Sequence, residues 1–173
     1  LGIFSGIGYV SFTSIDSGST LRSNKENLKS YIEEIKFKAY SDGKHYKIIM
    51  QNSGNNINLK VYEPDTNNVR WRDLDLNRRC NCQSGDSSDD TCDNAFSNVA
   101  VSSLTSLSDY DKTIERVSLK DCDDENCTTE DNDDVELCFL YDGSSPRDKF
   151  FKLVGGENLF VIFNLNKTGF LEE

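Results

Sequence analysis

Histidine is almost missing from this chain, and its scarcity narrows the chemistry open to the protein. The 173 residues contain one histidine, His45. Metal centres built on several imidazoles are therefore nearly excluded, and a Ser-His-Asp triad is disfavoured. His45 stands beside Tyr46 at the start of an alternating segment, where we expect it to be a surface or edge residue.

Positive charge is also in short supply. Nineteen Lys and Arg residues stand against 30 Asp and Glu residues, which leaves a net charge of −11. Non-specific nucleic-acid binding needs a basic surface that displaces counterions, and an anionic bilayer surface attracts basic segments. The composition argues against both partners, and it is compatible with divalent-cation binding.

Recognisable catalytic motifs are absent as well. VGGEN (154–158) has the composition of a hairpin turn and is not a glycine-rich phosphate loop. The serines of GSSPRDK (143–149) lack the G-x-S-x-G elbow of a nucleophilic serine. The sequence therefore predicts a protein that is not an enzyme.

Cysteine, by contrast, is present in an even number that predicts disulfides in an oxidising compartment. The six residues are Cys80, Cys82, Cys92, Cys122, Cys127 and Cys138. Proximity favours Cys122 with Cys127, and Cys92 with either Cys80 or Cys82. A zinc site is the weaker alternative, because neither cluster has the paired C-x2-C spacing and thiolates are unfavourable among carboxylates.

Two polar segments enclosed by cysteines, residues 83–94 and 121–136, are predicted to be loops. The second is rich in carboxylates, which are the ligands that calcium prefers. Its weak calcium candidates are Asp121, Asp123 and Asp124. The EF-hand spacing is not met, so a solvated acidic loop is the favoured interpretation. No cofactor is predicted, and calcium is kept as a possible ligand of this loop.

The N-terminal residues form two apolar patterns in succession. Residues 1–15, LGIFSGIGYVSFTSI, carry no charge, but they fall short of the ~20 residues of a spanning helix. They also lack the basic start of a signal peptide. Residues 21–42 are predicted to be an amphipathic helix, with Gly43 at the C-cap. Its apolar stripe comprises Leu21, Leu28, Ile32, Ile35 and Ala39.

Beyond Gly43 the period changes to two, which predicts antiparallel strands. The predicted strands are HYKIIMQ (45–51), NINLKVYE (56–63), VRWRDLDL (69–76), NVAVSSL (98–104), TIERVSL (113–119), VELCFLY (135–141), KFFKLV (149–154) and LFVIFNL (159–165). The last is apolar almost throughout, so we expect it to be central in its sheet. The predicted fold class is α+β, with an N-terminal helix (1–42) packed on the antiparallel sheets of a β-sandwich-type domain (43–173).

Three stretches resemble type IV pilins and the GspH/FimT-type minor pseudopilins. IGYVSFTSI followed by LRS is similar to the lower half of the pilin N-terminal helix. LKSYIEEIKFKAYSDGKHYKIIMQ is similar to the passage from that helix into the first strand. The last stretch, from ELCFLYDGSS to NKTGFLEE, resembles the ending of the family, with Asp142-Gly143-Ser144 and Asn166-Lys167-Thr168-Gly169 at the matching places.

The resemblance covers the first fifty and the last forty residues, and the middle of the chain is unmatched. Two departures are visible: Ser5 stands at the fifth position, where the family has glutamate, and Val10 follows Tyr9 where the family has proline. If the resemblance holds, a basic leader and further apolar residues precede Leu1 in the encoded protein.

The resemblance implies a structural role in assembly. The subunit would join or prime a type IV pilus or a type II secretion pseudopilus, with other pilin or pseudopilin subunits and the inner-membrane assembly machinery as partners. It would be anchored in the bacterial inner membrane through its N-terminal helix, facing the periplasm, and later stand in a filament at the cell surface. The residues assigned to helix packing are Ile3, Phe4, Ile7, Val10, Phe12 and Ile15.

Leu28, Ile32, Ile35 and Ala39 would hold the helix against the sheet, and their burial is worth very roughly 4 to 10 kcal/mol. The cysteines and the acidic loops are also compatible with a second function. It is a secreted, disulfide-stabilised β-sandwich that binds calcium or another ligand through its acidic loops.

The cysteine pattern can be tested on the denatured protein. Because all six cysteines are predicted to be paired, thiol counting under denaturing, non-reducing conditions should find no free thiol. Six reactive thiols in freshly purified periplasmic protein would refute the disulfides and favour zinc.

Overall fold

The chain begins with one long helix. The computed structural model describes residues 3–64, 104–146, 148–156 and 159–173, and it describes the side chains of this helix from residue 18 onward. Helix α1 (Ile3–Asp42) has 40 residues, which makes it about 60 Å long at 1.5 Å per residue. The uncharged segment and the amphipathic segment are therefore parts of a single helix.

Helix α1 ends in a Schellman motif. Gly43 adopts a φ of 62°, in the left-handed region that glycine enters without a steric cost. Its N–H donates to the carbonyl of Tyr40 at 3.4 Å, and the N–H of Lys44 donates to the carbonyl of Ala39 at 3.2 Å. The C-cap predicted at Gly43 is confirmed, and the chain turns there directly into the first strand.

Ten strands follow in the described part of the chain, and they form two sheets. The first sheet contains β1 (Tyr46–Ser53), β2 (Asn56–Pro64), β3 (Leu104–Ser106), β4 (Lys112–Glu115) and β7 (Val135–Phe139). The second contains β5 (Ser118–Cys122), β6 (Glu130–Asp131), β8 (Lys149–Gly156), β9 (Leu159–Leu165) and β10 (Leu171–Glu172). A 3-10 turn, Ser108–Tyr110, lies between β3 and β4.

Every strand pair in the described residues is antiparallel. The first sheet has the order β3-β2-β1-β7, with β4 pairing to the start of β2, and the second has the order β10-β9-β8-β5-β6. The fold is therefore α+β, with one N-terminal helix and antiparallel sheets.

One apolar core joins α1 to both sheets. Leu28, Ile32, Ile35 and Ala39 are completely buried, and α1 contacts strands of each sheet. The first sheet contributes Tyr46, Ile48, Met50, Leu59 and Phe139 to this cluster, and the second contributes Leu119, Phe151, Leu153, Phe163 and Leu165. The rings of Phe151 and Phe163 stack with centroids 5.1 Å apart. The helix stripe thus closes the core from one side.

One strand prediction and one loop prediction need correction. TIERVSL is not one strand, because Arg116 adopts a φ of 61°, which an extended strand cannot contain. The chain bends there and passes from β4 in the first sheet to β5 in the second. The acidic segment 121–136 is not wholly a loop either, since it holds the end of β5, the short β6 and the start of β7.

The expected place of LFVIFNL is also wrong. This strand, β9, is second from the edge of its sheet, next to the two-residue β10. Its outward residue Phe160 is 51% exposed, so its continuous apolar pattern does not reflect burial on both faces. The predicted strand VRWRDLDL, and NVAVSSL apart from Leu104, lie outside the described residues.

Candidate functional site

The first part of the candidate site is the N-terminal run of α1. The six residues predicted to pack in an assembly lie within the helix, between Ile3 and Ile15. Their side chains are outside the described part of the structure. The backbone continues as helix through Gly6 and Gly8, although glycine lowers helix propensity by roughly 1 kcal/mol per residue.

The second part is the buried half of α1, which begins at Leu21. Leu21 packs against Gly155 of β8 so closely that a Cβ added to Gly155 would lie 2.8 Å from the Cβ of Leu21. One turn later, the side-chain amide of Asn24 donates to the carbonyl of Glu115 at 2.7 Å. The helix is thus joined to both sheets at the point where its buried half starts.

The third part is the turn that follows β7. Asp142 accepts hydrogen bonds from the backbone N–H of Ser144 at 2.9 Å and from its hydroxyl at 2.5 Å. The Ser144 hydroxyl is the main reason why the pKa of Asp142 is lowered. Gly143 has a φ of 78°, and its N–H donates to Leu140 at 2.9 Å. The Asp-Gly-Ser sequence therefore forms a closed Asx-type turn.

The fourth part is the turn between β9 and β10. The side-chain oxygen of Asn166 accepts from the N–H of Thr168 at 3.1 Å, from the Thr168 hydroxyl at 2.6 Å and from the N–H of Phe170 at 3.0 Å. Its side-chain amide donates to Glu172 at 3.0 Å. Gly169 has a φ of 76°, which closes the turn.

These two turns pack on each other and on the helix, although they lie 26 residues apart in sequence (Gly143 and Gly169). A Cβ added to Gly169 would collide with the carbonyl oxygen of Gly143. A Cβ added to Gly143 would lie 3.6 Å from the Lys36 side chain and 3.8 Å from the Tyr40 side chain. The N–H of Ser145 also donates to the carbonyl of Lys167 at 3.1 Å. The two motifs that carry the family resemblance are therefore one structural unit.

Ion pairs extend this unit along α1. The Nζ atoms of Lys25 and Lys29 each lie 2.9 Å from a carboxylate oxygen of Glu173. Their hydrogen bonds, that of Lys29 first, lower the pKa of the Glu173 side chain. Glu173, which follows β10, therefore binds the same face of the helix that the two turns contact.

The acidic loop holds the disulfide that proximity favours. Cys122 and Cys127 are bonded to each other, so this pairing is confirmed. Cys138 is also in a disulfide, and its partner lies outside the described residues, as do Cys80, Cys82 and Cys92.

Two of the three calcium candidates on this loop, Asp121 and Asp124, are already engaged with different partners. Asp121 pairs with Lys149 at 2.5 Å, and burial raises its pKa. Asp124 accepts from the N–H groups of Asn126 and Thr128 and from the Thr128 hydroxyl. Among the described residues, no three acidic, His or Cys side chains are grouped so that they could hold a metal ion. The structure does not bring Asp121, Asp123 and Asp124 together as a site.

His45 is buried, contrary to the expected surface position. It is 4% exposed, and its ring centroid lies 5.9 Å from that of Tyr141. The residue belongs to the short link between α1 and β1, which the turn after β7 covers. Local sequence could not show this, because the covering turn comes from almost 100 residues further along the chain.

Two further buried polar residues were not predicted. Tyr31 is 3% exposed and donates its hydroxyl hydrogen bond to the carbonyl of Tyr110 at 2.8 Å; burial raises its pKa. Lys47 is 2% exposed and pairs with Glu136 of β7 at 2.5 Å. Tyr31 could have been found from its place beside Ile32 and Leu28 on the apolar stripe, whereas Lys47 carries no such signal.

Comparison with models of known protein families gives no match, and comparisons with curated proteins and with solved structures give none either. Within the described residues, no helical stretch is both long and apolar enough to cross a membrane.

Two glycine substitutions test whether the turns are packed as a unit. We expect Gly54→Ala to lower the free energy of unfolding by about 1–2 kcal/mol, because Gly54 has a φ of 63° but open space around it. Gly169→Ala should cost roughly 3 kcal/mol or more, because the added methyl group also meets the Gly143 backbone. Urea unfolding of both variants measures the difference, and equal losses would contradict the packing of the two turns.

Proposed function

We propose that the chain is a minor pilin- or pseudopilin-like structural subunit that assembles into, or primes, a type IV pilus or a type II secretion pseudopilus. The observation that carries this proposal is the division of α1. Its C-terminal half is buried on two sheets from Leu21 onward, while the same 40-residue helix continues through a segment without any charged residue.

This division is what a filament subunit needs. A buried helical half transmits the position of its domain rigidly to the N-terminal part of the same helix, because a continuous helix keeps its direction. The uncharged helical segment 3–15 can pack in an apolar environment, first a bilayer and then the core of a filament. A charged residue there costs about 2.5–3.5 kcal/mol. The helix would thus serve as anchor and as assembly element in turn.

The turns after β7 and β9 support the same proposal. The motifs Asp142-Gly143-Ser144 and Asn166-Lys167-Thr168-Gly169 stand where the resemblance to the GspH/FimT-type subunits requires them. Their side chains form turns and pack against α1. Their role is therefore to fix the domain on the helix, which is the pilin-like arrangement of a helix packed on a β-sandwich-type domain.

The proposal gives the partners and the location already named for the family: other pilin or pseudopilin subunits, the inner-membrane assembly machinery, and a path from the inner membrane through the periplasm to the cell surface. It assigns no catalysis to the chain. The calcium-binding alternative gains no support from the described residues, because Asp121 and Asp124 are held by Lys149 and Thr128.

A charge placed in the apolar half of the helix tests the proposal in cells of the source organism. Val10→Asp should remove the subunit from the sheared filament fraction, or abolish secretion or pilus formation, because the segment could no longer enter an apolar environment. Ser30→Asp adds the same charge at an exposed position of the buried half, and it should behave as the wild type.

Circular dichroism of both variants checks that the domain still folds. The proposal would be wrong if the wild-type protein never fractionates with membranes or filaments, or if Val10→Asp and Ser30→Asp assemble equally well.

A further inference from the structure

Large exposed apolar side chains are concentrated in one place. Five such residues occur in the described part of the chain, and four of them lie at the C-terminal end of α1 and on the two turns that pack there. They are Phe37 (69% exposed), Tyr40 (65%), Tyr141 (47%) and Phe170 (58%). We call these four residues the aromatic patch; the fifth residue, Phe160, lies on β9.

The aromatic patch is one continuous surface. Tyr40 lies beside Gly143, since a Cβ added to Gly143 would be 3.8 Å from the Cβ of Tyr40. Tyr141 comes two residues before Gly143 in the same turn. Lys36, one turn before Tyr40, has its Nζ atom 3.8 Å from the centroid of the Phe170 ring. Phe37 is three residues before Tyr40 on the same helix, and residues at that spacing are neighbours on the helix surface.

The size of the aromatic patch indicates an interaction surface. A Phe or Tyr side chain has about 150–250 Å² to bury, so four that are about half exposed offer roughly 300–600 Å². The largest apolar patch of a typical monomer has about this area and often marks a binding site. Each partner of a standard interface contributes about 800 Å², so the aromatic patch with its rim could form the centre of one.

The charges beside the aromatic patch are locally balanced, although the chain as a whole carries −11. Lys36 lies 3.6 Å from Glu33, and the two turns that carry Tyr141 and Phe170 contain one residue of each sign, Asp142 and Lys167. A strongly charged partner would therefore gain little here. The surface is complementary to a segment that is apolar and uncharged.

The chain itself contains such a segment in residues 1–15. We infer that the aromatic patch of one copy receives the uncharged N-terminal helix segment of a second copy. The two features cannot meet within one molecule, because about 30 residues of continuous helix separate their centres, or roughly 45 Å. A contact between different surfaces of identical copies is head-to-tail, and it propagates into an open filament when it does not close into a ring.

This inference rests on the proposed function and adds the surface that would join one subunit to the next. It is tested by photo-crosslinking on the 173-residue chain, in a mixture of isotopically labelled and unlabelled copies. Phe37 is replaced by p-benzoylphenylalanine, and the matched control carries the same group in place of Phe160, which is comparably exposed but outside the aromatic patch.

After irradiation and trypsin digestion, crosslinks between labelled and unlabelled copies should join position 37 to the peptide Leu1–Arg22, which contains no earlier cleavage site. Position 160 should give severalfold fewer crosslinks to this peptide. Adding Val10→Asp to the Phe37 variant should abolish them.

The other outcomes overturn the inference in distinguishable ways. Crosslinks from position 37 to the peptide that contains position 37 in the other copy would show symmetric pairing of the aromatic patch. Copies that associate without a crosslink from position 37 would refute this docking and leave the proposed assembly intact. Copies that do not associate at all would contradict the inference and the proposed function together.

Discussion

The burial of one helix face against two sheets is the interaction on which the rest of this structure depends. Leu28, Ile32, Ile35 and Ala39 have no exposed surface, and they share one core with residues of both sheets. The described strands pair within each sheet but not between the sheets. This core joins the two sheets, and the Asn52 side chain of β1 adds two hydrogen bonds to the backbone of Leu119 on β5. Without the helix, apolar faces of both sheets would lose a partner.

The turns after β7 and β9 convert that apolar contact into a defined position. The carboxylate of Asp142 and the amide oxygen of Asn166 shape the turns, and the left-handed Gly143 and Gly169 allow close approach. Hydrophobic burial is non-directional, whereas these hydrogen bonds and backbone contacts fix where the domain sits on the helix. The proposed role as an assembly subunit would depend on such a fixed position.

Local periodicity was sufficient to predict the helix stripe, the Gly43 cap and the longer strands β1, β2, β7, β8 and β9, because each depends on residues close in sequence. Local periodicity failed where contacts between residues distant in sequence determine the structure. The break at Arg116 follows from β4 and β5 joining different sheets, and the burial of His45 from a turn almost 100 residues later. The prediction that β9 is central in its sheet was wrong because its apolar pattern was taken to mean burial on both faces, whereas Phe160 on its outer face is exposed.

Native-state hydrogen exchange on Ile32→Ala tests most directly whether helix and sheets are one cooperative unit, with Ser30→Ala at an exposed helix position as the control. The core predicts that Ile32→Ala lowers the opening free energy of α1, β1 and β8 amides by the same amount, about 2–5 kcal/mol. Ser30→Ala should change it by less than about 0.5 kcal/mol. Loss of protection confined to α1, with the strands of both sheets unchanged, would contradict the account.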